Sequence, residues 1–295
     1  MSSSNLNVAV LGPLGTYTHE AAFKVFGNEV AYEERDTIAG VFECLDPQLP
    51  LGVIPQENSI FGPVVETYDL LRTSEQSYVR GEITLKVEHC LVVKRGVRLD
   101  QIRKIMSHEQ ALGQCRDFIA RKLPMVETVK TPSTAAAAKA LLDNPPDCAA
   151  ICSSICATLF DGLEILFNGI QNERSNFTRF FIIAYSQFTE LPPVMTSNRH
   201  FKGLIRMSVP PPQAVEPESN RARGVVEYLK LLDAFTTRID RRPALDTTPF
   251  SSIYFIEVQG NKANGTTFNS WALELEQVTS RINCAGGDAS LLGVW

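Results

Sequence analysis

Hydroxyls, amides and a carboxylate recur in this chain where apolar runs stop, and each cluster is a place where a polar ligand could be held. In VLGPLGTYTHEAAF, Gly12 and Gly15 permit a tight turn, and Thr16 or Thr18 can cap the helical pattern that follows. Unpaired amide N–H groups at such a helix start attract carboxylate or phosphate. The spacing matches neither G-x-G-x-x-G nor a Walker A loop, so a plain strand-turn-helix and a binding loop both fit. In GVIPQENSIFGPVVETYDLL, Glu57, Asn58 and Ser59 follow an apolar strand and precede Gly62 and Pro63. One of the three can be merely a cap or turn residue, but Glu57 beside Asn58 also offers a carboxylate and a two-sided amide. In IMSHEQALGQC, a helix starting near Glu109 presents Gln114 toward the loop that carries Ser107. A Ser107–His108 nucleophile and base is disfavoured, because neighbours on a strand face opposite sides. Ser107 reads as a hydrogen-bonding group and His108 as an exposed or structurally satisfied imidazole. In IQNERSNFTRFFIIA, a polar tripeptide and Arg179 stand at the mouth of a buried run, as where a loop enters a sheet.

These stretches need a frame. Up to about Tyr185, short β-like runs alternate with helical patterns: NVAVLG then THEAAFKVFG, PLGVIPQ then GPVVETYDLLR, RKIMSH then EQALGQCRDFIARK, and MVETVK then PSTAAAAKALLD. Such alternation predicts an α/β fold. GEITLKVEHCLVVKR reads as continuous extended chain that crosses between lobes, giving two α/β lobes with a cleft lined by strand-end loops. LPPVMTSNRH is a proline-bearing linker. Beyond it, GLIRMSV, the helical VVEYLKLLDAF, the strand SSIYFIEVQG and the helical WALELEQVTSRI form a small α+β domain. The expected boundaries are 1–188 for the two-lobed part, with lobe one about 1–80 plus 160–188 and lobe two about 81–159. A linker at 189–200 and a second domain at 201–295 follow.

Bulk properties exclude several partners. A net charge of −5 without a basic stripe argues against nucleic acid, and charged residues interrupt every apolar run, which argues against a membrane span. Seven scattered cysteines and no signal-like start point to a reducing, cytoplasmic setting, so the sequons at Asn176 and Asn264 are expected to be unused. Cys148, Cys152 and Cys156 could share a helix face, but without Cys-x-x-Cys spacing or a nearby histidine they read as buried small residues and not as a metal site.

Taken together, GPLGTYTHEAA, PQENSIFGPVVETYDLL, GEITLKVEHCLVV, SHEQALGQC and NFTRF, in that order, resemble the prephenate dehydratase family, followed by an ACT-type regulatory domain. The resemblance implies a two-lobed, periplasmic-binding-protein-like α/β catalytic domain and a small α+β ACT-like domain. The implied reaction converts prephenate to phenylpyruvate, carbon dioxide and water, driven by aromatisation, with no cofactor and no metal. It also implies roles. Thr178 donates to the leaving oxygen, Asn58 and Ser107 fix the substrate, Gln114 supports them, and Glu57 orients the network. Gly15, Thr16, Tyr17 and Ser59 meet the substrate's anionic groups. Arg179 is counted with them, although an extended strand turns it away from Thr178, toward the Glu57 region. L-phenylalanine is the implied effector, with Gly224, Val225, Arg242 and Pro243 at the matching positions, and a homodimer or homotetramer is the implied assembly. The loop PPPQAVEPESNRAR is longer than the family's usual one and the segment from Gly224 to Pro243 is shorter. With no mutase segment before Val8, a monofunctional dehydratase is expected. Arogenate dehydratase and a noncatalytic small-anion sensor are the competing readings.

Overall fold

The computed structural model describes residues 6–74, 77–192, 200–209, 224–232, 235–245, 249–261 and 267–295. Most of the expected linker, the loop 210–223 and the Asn264 sequon lie outside the described residues. In chain order the elements begin with β1 (Leu6–Leu11), α1 (Tyr17–Phe26), β2 (Val30–Arg35), α2 (Ile38–Glu43), β3 (Leu51–Asn58), β4 (Gly62–Pro63), α3 (Val65–Thr73) and β5 (Tyr78–Lys86). Next come β6 (Cys90–Lys94), β7 (Lys104–Ser107), α4 (Glu109–Gln114), α5 (Arg116–Lys122), β8 (Glu127–Lys130), α6 (Thr134–Ala140), β9 (Cys148–Cys152), α7 (Ile155–Leu159), β10 (Leu163–Phe167) and β11 (Phe177–Ala184). The chain closes with β12 (His200–Ser208), α8 (Val225–Leu229), β13 (Phe235–Pro243), β14 (Ser252–Asn261), α9 (Phe268–Cys284) and β15 (Asp288–Val294).

Two compact units result: residues 1–64 with 83–181, and residues 65–82 with 182–295. The first unit holds two lobes. In lobe one, β1 pairs in parallel with both β2 and β3, in the order β5-β11-β3-β1-β2. Parallel strands covered on both faces read as unbroken apolar runs, and Val8 and Val10 of β1 and Leu51, Val53 and Ile54 of β3 are fully buried. Each such side chain contributes roughly 1.5–3 kcal/mol of burial. In lobe two the order is β10-β6-β9-β7-β8, with β9 parallel to β7 and antiparallel to β6. The cysteine run is therefore a buried strand, β9, with Cys156 on α7, and not a helix face. Because β10 pairs with β6, lobe two extends to residue 167, past the expected 159.

The second unit is built on β13-β14-β12-β15-β5. Helix α9 buries Trp271, Leu275, Val278 and Ile282 at helical spacing against this sheet. Gly203 on β12 lets it approach, since a Cβ there would collide with Leu275. Thr267 and Ser270 cap α9 reciprocally, Ser270 N–H to Thr267 Oγ1 at 3.1 Å and Thr267 N–H to Ser270 Oγ at 2.9 Å. Helix α3, expected in the catalytic part, belongs to this unit. Tyr68 stacks edge-on against Phe255 at 5.2 Å, and Asp69 takes a two-pronged bond from Arg242, Nε at 2.8 Å and Nη2 at 2.9 Å. An amphipathic helix shows that it has a buried face but not what covers it. The helix expected over VVEYLKLLDAF covers only Val225–Leu229. Among the described residues no helix is long and apolar enough to cross a membrane.

Candidate active site

A cavity of about 410 Å³ opens between the lobes of the first unit, and residues of β3, β11, α1, α4 and the loop before α6 surround it. Its lobe-one wall rests on the alternation of two strands. Asn58 on β3 and Thr178 on β11 face the cavity, while their neighbours Glu57 and Arg179 pair on the other side at 2.9 Å.

Asn58 is committed through both ends of its amide. Oδ1 accepts the N–H groups of Ile60 at 3.0 Å and Phe61 at 3.2 Å, which turns the chain into β4. Nδ2 donates to Asn176 Oδ1 at 2.7 Å, to Thr178 Oγ1 at 3.0 Å and, more weakly, to Phe177 O at 3.2 Å. Thr178 thus receives a hydrogen bond on its oxygen, which leaves its own O–H free to donate to a group in the cavity. Ser59 does not line the cavity but staples the two strand ends. Its N–H donates to Phe177 O at 2.8 Å, its Oγ accepts from Phe177 N–H at 2.9 Å, and its hydroxyl donates to Ser175 O at 3.2 Å.

The start of α1 supplies its cap Thr16 and its first residues Tyr17 and Thr18 to the wall. Thr16 caps the helix, its Oγ1 accepting from His19 N–H at 3.4 Å and donating to Leu11 O at 2.8 Å. Gly15 lies behind the wall with φ +101°, and a Cβ there would meet Cys156 Sγ at 3.0 Å and Ala135 Cβ at 3.2 Å. Its N–H donates to His19 Nδ1 at 3.0 Å and its carbonyl accepts from Ser153 Oγ of lobe two at 2.6 Å. The Gly15 amide is therefore not open to a ligand. Burial lowers the His19 pKa to about 4, with Glu34 opposing, so the ring is neutral and can accept that N–H.

Lobe two supplies His108, Gln110, Gln114, Ser133 and Thr134. Ser133 caps α6 by accepting Ala136 N–H at 3.0 Å. Here one expectation is corrected: Ser107 is fully buried, donates to Ile151 O at 2.5 Å and lies outside the cavity wall. The following residue, His108, takes that place and accepts Gln110 N–H at 3.4 Å as the cap of α4. The cause is strand alternation at the end of β7, which admits one of two adjacent polar residues. Gln114 does reach the wall, with Oε1 2.6 Å from His89 Nε2. His89 itself was not singled out in the sequence, because a lone histidine in an apolar crossing carries no spacing signal. Its Nδ1 lies 2.5 Å from Tyr17 Oη. Burial raises the Tyr17 pKa well above its ordinary value, and burial lowers that of His89 against the opposing Gln114 bond.

The arrangement can aim a neutral O–H donor at a departing oxygen and hold anionic oxygens with hydroxyl and amide groups, away from bulk water. The profile of the family described as prephenate dehydratase matches residues 8–187, which include every residue around the cavity. The chain is 30% identical over 261 residues to a bifunctional chorismate mutase/prephenate dehydratase of Neisseria gonorrhoeae, covering 87% of this chain and 67% of that one. It is 35% identical over 211 residues to arogenate dehydratase/prephenate dehydratase 2, chloroplastic, of Arabidopsis thaliana, covering 70% of this chain and 52% of that one. The chain thus spans between about half and two thirds of the length of these curated relatives. A solved structure of prephenate dehydratase in complex with L-Phe from Arthrobacter aurescens has the same mixed α/β fold, with a TM-score of 0.71 at 26% identity, covering 98% of this chain and 89% of that one. With the five sequence motifs gathered at one cavity and the profile spanning more than half of the residues, the chain belongs to the prephenate dehydratase family, a family of lyases.

Proposed function

We propose that this chain carries out the decarboxylating dehydration of prephenate to phenylpyruvate in phenylalanine biosynthesis. The observation that carries the reading is the Asn58 Nδ2 to Thr178 Oγ1 bond, which makes Thr178 a donor toward the cavity. As the ring carboxylate leaves as carbon dioxide, its bonding pair enters the ring and the ring C–O bond breaks. The departing hydroxyl takes up one proton and leaves as water. A threonine hydroxyl is a weak acid, so Thr178 serves as a positioned hydrogen-bond donor to that oxygen as charge develops on it.

Among the described residues around the cavity there is no Asp, Glu, Lys or Arg. That composition supplies neither a carboxylate for the ammonium of arogenate nor a cation for the carboxylates of prephenate, so a parallel assay decides between the two substrates. The purified chain, incubated with prephenate and with arogenate in parallel, is expected to release phenylpyruvate from the first and little phenylalanine from the second. Prephenate binding without product would replace this reading with that of a sensor.

Regulation belongs to the second unit. The Arthrobacter relative was solved with L-Phe, and Gly224 and Val225 open helix α8 here. Arg242 and Pro243 end β13, where the Arg242 guanidinium is held by Asp69 and the Pro243 carbonyl accepts from Arg72 Nη1 at 2.7 Å. These two therefore shape the turn, while Gly224 and Val225 contact the effector. Titration calorimetry with L-phenylalanine is expected to show saturable binding that Gly224→Asp abolishes. The same reading places the protein in the cytoplasm as a homodimer or homotetramer, which sedimentation velocity checks.

A further inference from the structure

The cavity wall contains a second polar chain that Thr178 does not use. His89 lies in the crossing between β5 and β6, with 3% of its surface exposed. Its backbone is pinned on both sides. The N–H donates to Gln171 Oε1 at 2.9 Å, Gln171 Nε2 donates in turn to Val87 O at 3.3 Å, and the His89 carbonyl accepts Ile170 N–H at 3.0 Å. The ring bridges the lobes, with Tyr17 of α1 at Nδ1 and Gln114 of α4 at Nε2.

A buried, neutral imidazole has one N–H to share between two contacts. Gln114 turns its carbonyl oxygen to the ring, and that oxygen can only accept, so the proton sits on Nε2. Nδ1 is then a bare acceptor and takes the Tyr17 O–H, in preference to the Glu88 carbonyl that lies 3.3 Å from the same phenol. Two consequences follow for the cavity. The Gln114 NH2 group is turned away from His89, and the Tyr17 oxygen presents only lone pairs. We infer that His89 is a positioning residue that sets the polarity of this wall, making Gln114 a donor to an anionic or keto oxygen of the substrate and Tyr17 an acceptor for a substrate hydroxyl. The opposite proton placement would flip both groups and set an amide carbonyl against a carboxylate.

The inference rests on the prephenate reading for its ligand but not for its test. Nitrogen NMR of the intact chain with labelled histidine, His89 being assigned by the signal lost in His89→Gln, is expected to show a protonated Nε2 and a bare Nδ1 at neutral pH. The reverse tautomer, or an imidazolium, overturns the inference whatever the chain turns over. In activity, His89→Phe keeps the ring volume and loses both nitrogens, and is expected to lower kcat/KM on prephenate about 100-fold, the scale of misplaced substrate groups. His89→Gln, whose amide N–H can still reach Gln114, is expected to recover roughly ten-fold of that. Equal loss in both variants, or none in either, also overturns it. If His89→Phe does not fold, the NMR result on the unaltered chain decides. If the unaltered chain leaves prephenate untouched, the proposed function fails while the tautomer result stands.

Discussion

The two walls of the cavity are built by different rules. On lobe one, Thr178 and Asn58 stand at the adjoining ends of two inner strands, and each polar atom of the Asn58 amide is fixed by named partners. On lobe two, His108 and Ser133 stand at the starts of short helices, each capping one backbone N–H. A strand-borne pair gives one hydroxyl a single direction, whereas helix starts offer several weak donors to an anion. The first suits the bond that breaks and the second suits the part of the substrate that stays the same. Loss on lobe one should therefore appear in kcat and loss on lobe two in KM.

The sharpest way to break this contrast is Thr178→Val, which keeps the shape and removes the donor. Its kcat is expected to fall about 100- to 1000-fold with KM little changed, the range for a lost transition-state donor. Steady-state kinetics that show a KM effect alone would defeat the assignment. Asn58→Ala comes next. It frees Thr178 to turn its proton back onto neighbouring acceptors, and kcat is expected to drop about 100-fold. Thermal melts should also show roughly 0.5–1.5 kcal/mol of lost stability from the turn bonds to the exposed Ile60 and Phe61 N–H groups.

A pH experiment probes the support behind the lobe-one wall, where the His19 ring accepts the Gly15 N–H. The folded-state pKa of His19, about 4, lies below the ordinary 6.5, so unfolding takes up a proton between these values. Its contribution is complete above about pH 6.5 and is lost as the pH falls toward 4, a swing of roughly 3 kcal/mol. Denaturant titrations across that window should show the loss, and His19→Gln should flatten it. The smallest effect belongs to lobe two. Thr134→Val is expected to raise KM about ten-fold, near 1.4 kcal/mol, with kcat retained. A larger fall in kcat than in affinity would merge the two walls into one.

The same contrast explains what could be read from the sequence. Thr178, Asn58, Thr16 and Tyr17 were legible because each follows an apolar run or opens a helix, Gln114 because a helix starting near Glu109 turns it toward the strand end, and all five line the cavity. Ser107 was preferred to His108 and the cavity wall carries His108 instead, since the pattern marks a strand end but not which neighbour faces the cavity. His89 gave no signal because its two partners lie 72 and 25 residues away. Strands β2 and β13 escaped notice for another reason. Both lie at the ends of the strand order, and VAYEER and FTTRIDRRP carry the charges typical of exposed edges. Helix α2 is only six residues long, too short for periodicity to speak.

Asparagine side chains decay with time when the next residue's backbone nitrogen attacks the carboxamide carbon, ammonia departs and an aspartate remains. At Asn58 that single exchange of nitrogen for oxygen would remove the donor to Thr178 and set a carboxylate oxygen against Asn176 Oδ1. The attacking nitrogen would have to come from Ser59, and its hydrogen is already given to Phe177 O at 2.8 Å. The stitch that aligns two strand ends therefore also holds that nitrogen away from the carboxamide carbon, which slows chemical ageing at this position.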